Sequence, residues 1–511
     1  MSTEIMSEPD LLLGLDIGTQ GAKGVLVNRA GEVQAQAQVE YDCMYPQPGW
    51  VEHDMQANWW EHPAQVVRRL LEQPGIMPAR VAAVNVSGLY PAMGPTDGEG
   101  QPIAGAILYS DNRALAEVEE VNAALGLKLT SEELTPKLLW FLRHQPDGAR
   151  RMRMFFDAAH YGVYRLTGAY VADTITLGLW GAIYSAPQAA WRPEACARFG
   201  IPVDILPAIH PPATIVGRVQ DAASRLTGLP VGTPVLTGMP DLVASIISAG
   251  ATQPDEAVAY YGTAGVVPVQ LDDLLRALMH SHPTEDGYLF YYAAYSLAVG
   301  DAVKWFRDVF GQPEVDAARA GGSGAYARLD ALAAGVPVGS KGLLLLPYFQ
   351  GQRSPEFDPQ ARGVYFGMTP AHGRGHYFRA VLESWGYSIR DGLETSYPQG
   401  SPVRRMIATG GGARSALWRQ IVSDITGLPQ SYVPDADGPL GAAYVAGMAL
   451  GWFEDFEPLR RTWVRNAGMT EPDPAARRVY DRLYPIYRRL HRDLRQAFHD
   501  HNLAAGTAVN G

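Results

Sequence analysis

Cysteine is nearly missing from this chain: two residues, Cys43 and Cys196, in 511. Two thiols supply neither a disulfide framework nor a thiolate zinc cluster. Such sparing use suits a reducing compartment, so a cytoplasmic location is expected. Long apolar stretches are missing too. The run GLLLLPYF at 342–349 is among the longest, far below the roughly 20 residues of a membrane-spanning helix, and no membrane partner is expected. The opening MSTEIMSEPD is acidic and polar, which is not the composition of a signal peptide. Positive charge is in deficit, with 42 Lys and Arg against 53 Asp and Glu, for a net charge of −11. That balance argues against a nucleic-acid partner, yet it leaves room for a local basic pocket around a phosphate. What is present is a globular mixture, 47% hydrophobic and 19% charged. A chain of this length is too long for one core, and two domains are expected.

The stretch LLLGLDIGTQGAKGVLV (11–27) is the first irregular feature. An apolar strand carries Asp16 where another Leu or Val belongs, breaks at Gly18-Thr19-Gln20-Gly21, and resumes as a second strand. The alternation in EVQAQAQVEY (32–41) adds a third, half-exposed strand. MQANWWEHPAQVVRRLLEQ (55–73) has helical spacing, and VAAVNVSG (81–88) reads as a buried strand. A second start of the same form follows in EAVAYYGTAGVVPVQ (256–270), where Gly262-Thr263-Ala264-Gly265 interrupts two apolar strands. Two such hairpins, each opening one half of the chain, predict two halves of related architecture. The loop-like SAGATQPDE places the boundary near Gly250–Asp255. Arginine-rich amphipathic helix is expected over 477–498.

Glycine loops of this kind let backbone N–H groups turn inward as an anion nest, and the threonine hydroxyls add donors. Asp16 is then placed to hold Mg²⁺ through water, and Lys23 to offset phosphate charge. The plain alternative is an acid that caps a tight turn and a lysine that faces solvent. In TGMPDLVASIISAG (237–250), Asp241 stands just before an apolar helix. It is either a helix cap or a general base for a substrate hydroxyl. In IATGGGARSALWRQIVSDITGLP (407–429), three glycines link a strand to a helix that begins near Ser415. That is a place where α/β folds bind ligands, or simply a flexible turn.

Together these segments resemble the FGGY carbohydrate kinases of the actin–hexokinase superfamily. The likeness also runs through AGAILYSDNRA (104–114), TPKLLWFLRHQP (135–146), GLPVGTPVLTGMPD (228–241) and LPYFQGQRSPEFDPQARGVYFGMT (346–369), and so covers nearly the whole chain. The resemblance implies an α/β fold of two actin-like (ribonuclease H-like) domains flanking a deep cleft. Residues 1–252 would form the first domain and 253–511 the second, with 502–511 a disordered tail. It implies ATP and Mg²⁺ as cofactors, a small-molecule sugar as partner, and possible homodimers. Carried over by position, Asp241 matches the catalytic base and Asp16 the acid near the metal. Thr19, Gln20, Gly21 and Thr263 match the phosphate loops, and Gly300, Gly411, Gly412 and Ser415 the nucleotide pocket.

Within the family the motifs look most like the xylulokinase branch, which implies phosphorylation of D-xylulose to D-xylulose 5-phosphate. The sugar-contacting positions depart from it. Leu89-Tyr90-Pro91-Ala92 stands where that branch reads Gln-Met-His-Gly, Leu242 follows the base in place of Asn, and Trp-Asn-Asp becomes Tyr109-Ser110-Asp111. Tyr90, Asp111, Asp241 and Leu242 are the expected sugar contacts. Another ketose, a polyol or an aldonic acid is the alternative acceptor. A non-kinase actin-like ATPase is the more distant one.

Overall fold

The computed structural model describes residues 9–270, 273–280, 290–296, 298–434 and 436–505. They fall into two compact α/β units.

The first unit is built on a mixed sheet. Strands β1 (Leu11–Ile17), β2 (Gly21–Asn28) and β3 (Val33–Glu40) form the antiparallel meander that the sequence predicts. Strand β4 (Val81–Gly88) lies parallel to β1 on its other side. Strands β5 (Ile215–Arg218), β6 (Pro234–Leu236) and β7 (Met239–Pro240) complete the sheet, in the order β5-β6-β4-β1-β2-β3 with β7 also paired to β4. All seven residues of β1 are buried. Strands cover both its edges and helices its faces, which is why it reads as continuous apolar sequence rather than an alternation.

The second unit repeats the plan. Strands β8 (Glu256–Tyr260), β9 (Gly265–Gln270) and β10 (Phe290–Ser296) form the meander, and β11 (Arg405–Thr409) runs parallel to β8. Strands β12 (Gln430–Tyr432) and β13 (Met469–Thr470) extend the sheet in the order β10-β9-β8-β11-β12-β13. Each Gly-Thr-x-Gly sequence is the bend between the first two strands of its meander. The helix Arg374–Ser396 packs Phe378 and Trp385 into this unit's core, beside the helix Pro474–Ala504.

The two units do not divide the sequence at one point. The chain changes unit after Thr252, but Asp437–Val464 returns to the first unit, which also takes the helix Leu274–His280. The reason is packing. In the helix Gly438–Ala449, GPLGAAYVAGMA, small residues let the backbone lie directly on β1. A Cβ at Gly14 would stand 1.8 Å from the carbonyl oxygen of Pro439, and one at Gly441 would stand 1.9 Å from that of Ala244. No side chain fits either gap. The expected tail is corrected in part as well. Helix continues to Ala504, with buried Asn502 donating to the carbonyl oxygen of Gln360, while 506–511 lie outside the described residues.

Candidate active site

Strand register brings the site of the first unit together. Asp16, one residue before the end of β1, pairs with Lys23 on β2 and with Ser87 on β4. The Ser87 hydroxyl donates to Asp16 Oδ1 at 2.6 Å. Strand β7 pairs with Ser87 and Gly88, so the helix Asp241–Ala249 begins next to this carboxylate. Asp437 caps the helix Gly438–Ala449, its Oδ1 accepting from the Gly438 N–H at 3.0 Å. Lys23 Nζ reaches both oxygens of Asp437, at 3.3 and 3.2 Å.

The electrostatics of this cluster are out of balance. Burial raises the Asp16 carboxyl to about 7, with the nearby Asp437 charge adding to the rise and Ser87 and Lys23 opposing it. Asp241 is pushed well above the usual carboxylate range, by burial first and then by the charges of Asp16 and Asp157. The Leu242 N–H, 2.6 Å from Asp241 Oδ1, and the helix start pull the other way without cancelling it. Pro240 holds the cap position and Asp241 the first helical turn. Asp241 is therefore an acid at a helix N-terminus that also faces a second carboxylate.

The protonation of this pair should be visible in the unliganded protein's stability. The folded Asp16 carboxyl binds its proton up to about pH 7, whereas the unfolded one releases it near pH 4. Between those values the folded state holds the extra proton, so this group's contribution falls as pH rises and is lowest above 7. Urea titrations at pH 5 and pH 8 should show wild type losing stability relative to Asp16→Asn, with ~3 kcal/mol as an upper bound over that interval. A difference that stays flat, or rises, contradicts the assignment.

The bend Gly18–Gly21 is fixed from below. Tyr41 donates its hydroxyl to the Gly18 carbonyl at 2.8 Å and its N–H to the Gln20 carbonyl at 3.2 Å. The Thr19 carbonyl lies 3.0 Å from His53 Nε2. With these carbonyls engaged, the N–H groups of Thr19 and Gln20 have no protein acceptor among the described residues. That is the donor array an anion requires. Tyr109 lies near the Thr19 side chain and within the field of Asp241, and burial raises its phenol. Among the described residues, no three His, Cys, Asp or Glu side chains are grouped to cage a metal. Asp16 still suits Mg²⁺: Ser87 occupies Oδ1, no described donor occupies Oδ2, and this ion takes one or two carboxylates with water and phosphate.

In the second unit the Gly262–Gly265 bend is held by the N-terminus of the helix Val299–Phe310. The Gly300 N–H is shared by the carbonyls of Gly262 and Thr263, both at 2.9 Å. A Cβ at Gly300 would stand 2.5 Å from the Gly262 oxygen. Gly300 thus supports the bend that carries Thr263. Beyond β11, a Cβ on Gly411 would meet nothing within 4 Å, an open face against which a flat ring can lie, whereas one on Gly412 would meet the Trp418 ring at 2.5 Å. Gly411 thus offers an open face, whereas Gly412 is required by packing. The Ser415 oxygen caps the next helix, accepting from the Trp418 N–H at 3.0 Å.

Asp111 is also corrected. Its carboxylate is fully buried, accepting from the Val51 N–H at 2.6 Å and from the Arg113 guanidinium at 2.9 and 2.7 Å. Arg113 lies 3.7 Å from the Trp50 ring and also pairs with Glu52. Both oxygens are committed, which leaves none for a sugar. Tyr90 is half-buried just past β4, Pro91 and Ala92 are buried, and Leu242 is half-buried behind Asp241.

The sequence model of the FGGY family of carbohydrate kinases, N-terminal domain, matches residues 11–248, and that of the C-terminal domain matches 257–450. The chain belongs to the FGGY family of carbohydrate kinases.

Its relatives span the chain end to end. The xylulose kinase of Bacillus subtilis (strain 168) is 26% identical over 94% of this chain and 96% of its own. The glycerol kinase of Symbiobacterium thermophilum is 30% identical over 94% and 97%. The crystal structure of xylulose kinase from Rhodospirillum rubrum superposes with a TM-score of 0.84 at 31% identity, covering 96% of this chain and all of that one. In this FGGY kinase the expected residues Asp16, Thr19, Gln20, Gly21, Lys23 and Asp241 gather in the first unit, and Thr263 and Gly411 line exposed turns of the second. Ser87, Asp437, Tyr41 and His53 were not expected. Asp437 had a legible signal, an Asp-Gly-Pro start to a small-residue helix much like the start at Asp241.

No described helix is long and apolar enough to cross a membrane.

Proposed function

We propose that this kinase transfers the γ-phosphoryl group of ATP to a hydroxyl of a ketopentose, with D-xylulose as the acceptor and D-xylulose 5-phosphate as product. The observation that carries the reading is the placement of Asp241 at a helix N-terminus, beside Asp16 and the Thr19–Gln20 donor array. Phosphoryl transfer asks a protein for positioning and charge neutralisation more than for covalent chemistry. Asp241 accepts the proton of the attacking hydroxyl. Its raised basicity makes it a stronger acceptor than a solvated carboxylate. The N–H groups of Thr19 and Gln20 receive phosphate oxygens, and Lys23, on a long exposed side chain, adds positive charge. Asp16, with one oxygen on Ser87 and the other without a described donor, would hold Mg²⁺. When bound, that ion neutralises charge on the phosphates. Thr263 and Gly411 serve the nucleotide.

D-Xylulose is favoured by the whole-chain likeness to xylulose kinases from two bacteria. A smaller polyol is the second reading. Pro91 and Leu242 offer no side-chain hydrogen bond to a sugar hydroxyl, and a glycerol kinase is also 30% identical. Each hydrogen bond lost against a pentose costs on the order of 1 kcal/mol, or about fivefold in affinity. A coupled ADP-release assay across D-xylulose, D-ribulose, D-fructose, glycerol, xylitol and D-gluconate decides the question. D-Xylulose is expected to give the highest kcat/KM, by at least ~10-fold. A preference for glycerol, or equal rates for all, overturns the assignment.

A further inference from the structure

The hydrogen bonds beneath the first phosphate bend form a chain with a fixed direction. His53, on the short strand Glu52–His53, is completely buried. The Trp59 indole N–H points at His53 Nδ1 from 3.0 Å. An indole nitrogen only donates, so Nδ1 must accept, and a neutral imidazole then carries its proton on Nε2. Burial keeps the ring neutral, lowering its pKa to about 4. The Nε2–H is thereby aimed at the carbonyl of Thr19, 3.0 Å away, with Cys43 Sγ 3.4 Å to one side. Tyr41, whose ring meets His53 edge-on at 5.5 Å, stacks on His62 and holds the carbonyls on either side of Thr19.

We propose that His53 is a positioning residue for the triphosphate: the Trp59–His53 pair locks the imidazole as a donor to the Thr19 carbonyl, and this fixes the peptide that presents the Gln20 N–H to phosphate. The inference rests on the kinase reading of the Gly18–Gly21 bend. It goes beyond that reading by assigning the orientation of the bend to a side chain that meets neither substrate. A peptide whose carbonyl is held on one side presents the N–H of the following residue on the other. Without the anchor, the Thr19 carbonyl keeps only the weak Cys43 thiol donor at 3.5 Å, the peptide is held less tightly, and the donor array must be ordered at the expense of binding.

Two conservative variants separate this role from general support of the fold. His53→Asn keeps an acceptor near the Nδ1 position for Trp59 but falls short of Thr19. His53→Gln extends an amide nitrogen to where Nε2 stands. Isothermal titration with a non-hydrolysable ATP analogue plus Mg²⁺, and in parallel with AMP, reads binding without turnover. For His53→Asn the ATP analogue should bind about tenfold more weakly, with AMP affinity unchanged, and His53→Gln should recover most of the loss. Tyr41→Phe, which removes only the hydroxyl bond to Gly18, should produce the same triphosphate-selective loss at a smaller size. Equal triphosphate affinity in wild type, His53→Asn and Tyr41→Phe overturns the proposal, as does a loss that falls equally on AMP. A wild type that binds the ATP analogue but phosphorylates no sugar refutes the kinase reading instead, and the binding comparison keeps its meaning.

Discussion

Asp241→Asn should lower sugar phosphorylation by about 10³-fold in kcat while leaving affinity for the nucleotide within twofold. The loss follows from the chemistry of the step. An amide occupies the same volume at the start of the helix Asp241–Ala249 and can still accept from the Leu242 N–H, but it cannot take a proton from the attacking hydroxyl. General-base catalysis contributes roughly 10²–10⁴. The upper half of that range is expected here because burial and the Asp16 charge both raise the basicity of Asp241. A variant with kcat within tenfold of wild type would remove Asp241 from the role of base. Initial rates over a range of sugar and ATP concentrations provide the check.

Asp16→Asn carries the second large effect. This carboxylate has one oxygen on Ser87 and the other without a described donor, at the edge of the Gly18–Gly21 bend. Substitution should raise the Mg²⁺ concentration needed for half-maximal rate by at least ~10-fold and lower kcat by about 10²-fold, an activation cost of ~3 kcal/mol. AMP binding should be unaffected. The pH profile gives a separate signature. At limiting Mg²⁺ the ionised carboxylate must be generated against a pKa of about 7, so kcat/KM should rise with pH through neutrality. Saturating Mg²⁺ should move that limb to lower pH, since a cation favours the charged form. A limb that ignores Mg²⁺, or survives unchanged in Asp16→Asn, would place the titration elsewhere.

These effects depend on an arrangement that the sequence discloses unevenly. Both Gly-Thr-x-Gly bends were legible, because a break of that composition between two apolar runs permits little besides a hairpin with exposed amides. Asp16 was legible as an acid in an otherwise apolar strand. Asp241 was ambiguous, since an N-terminal helical acid and a general base have the same local sequence; β7 pairing with Ser87 and Gly88 is what brings it to Asp16. The return of Asp437–Val464 to the first unit was hidden. It depends on Gly14 and Gly441, far apart in sequence, each clearing space for a backbone carbonyl. Asp111 misled for a related reason. An acid in a family motif suggests a ligand contact, yet Arg113 and the Val51 N–H consume it inside the fold. His53 could not be found at all from sequence, because its role comes from Trp59 fixing a tautomer that then reaches Thr19.

The measurement that bears most directly on the whole account is ³¹P NMR of the purified protein incubated with MgATP and D-xylulose. A xylulose-phosphorylating enzyme should give one phosphate-ester resonance growing in step with ADP, one sugar phosphate for each ATP consumed, and no growth when the sugar is left out. ADP accompanied only by inorganic phosphate, at a rate indifferent to sugar, would contradict it.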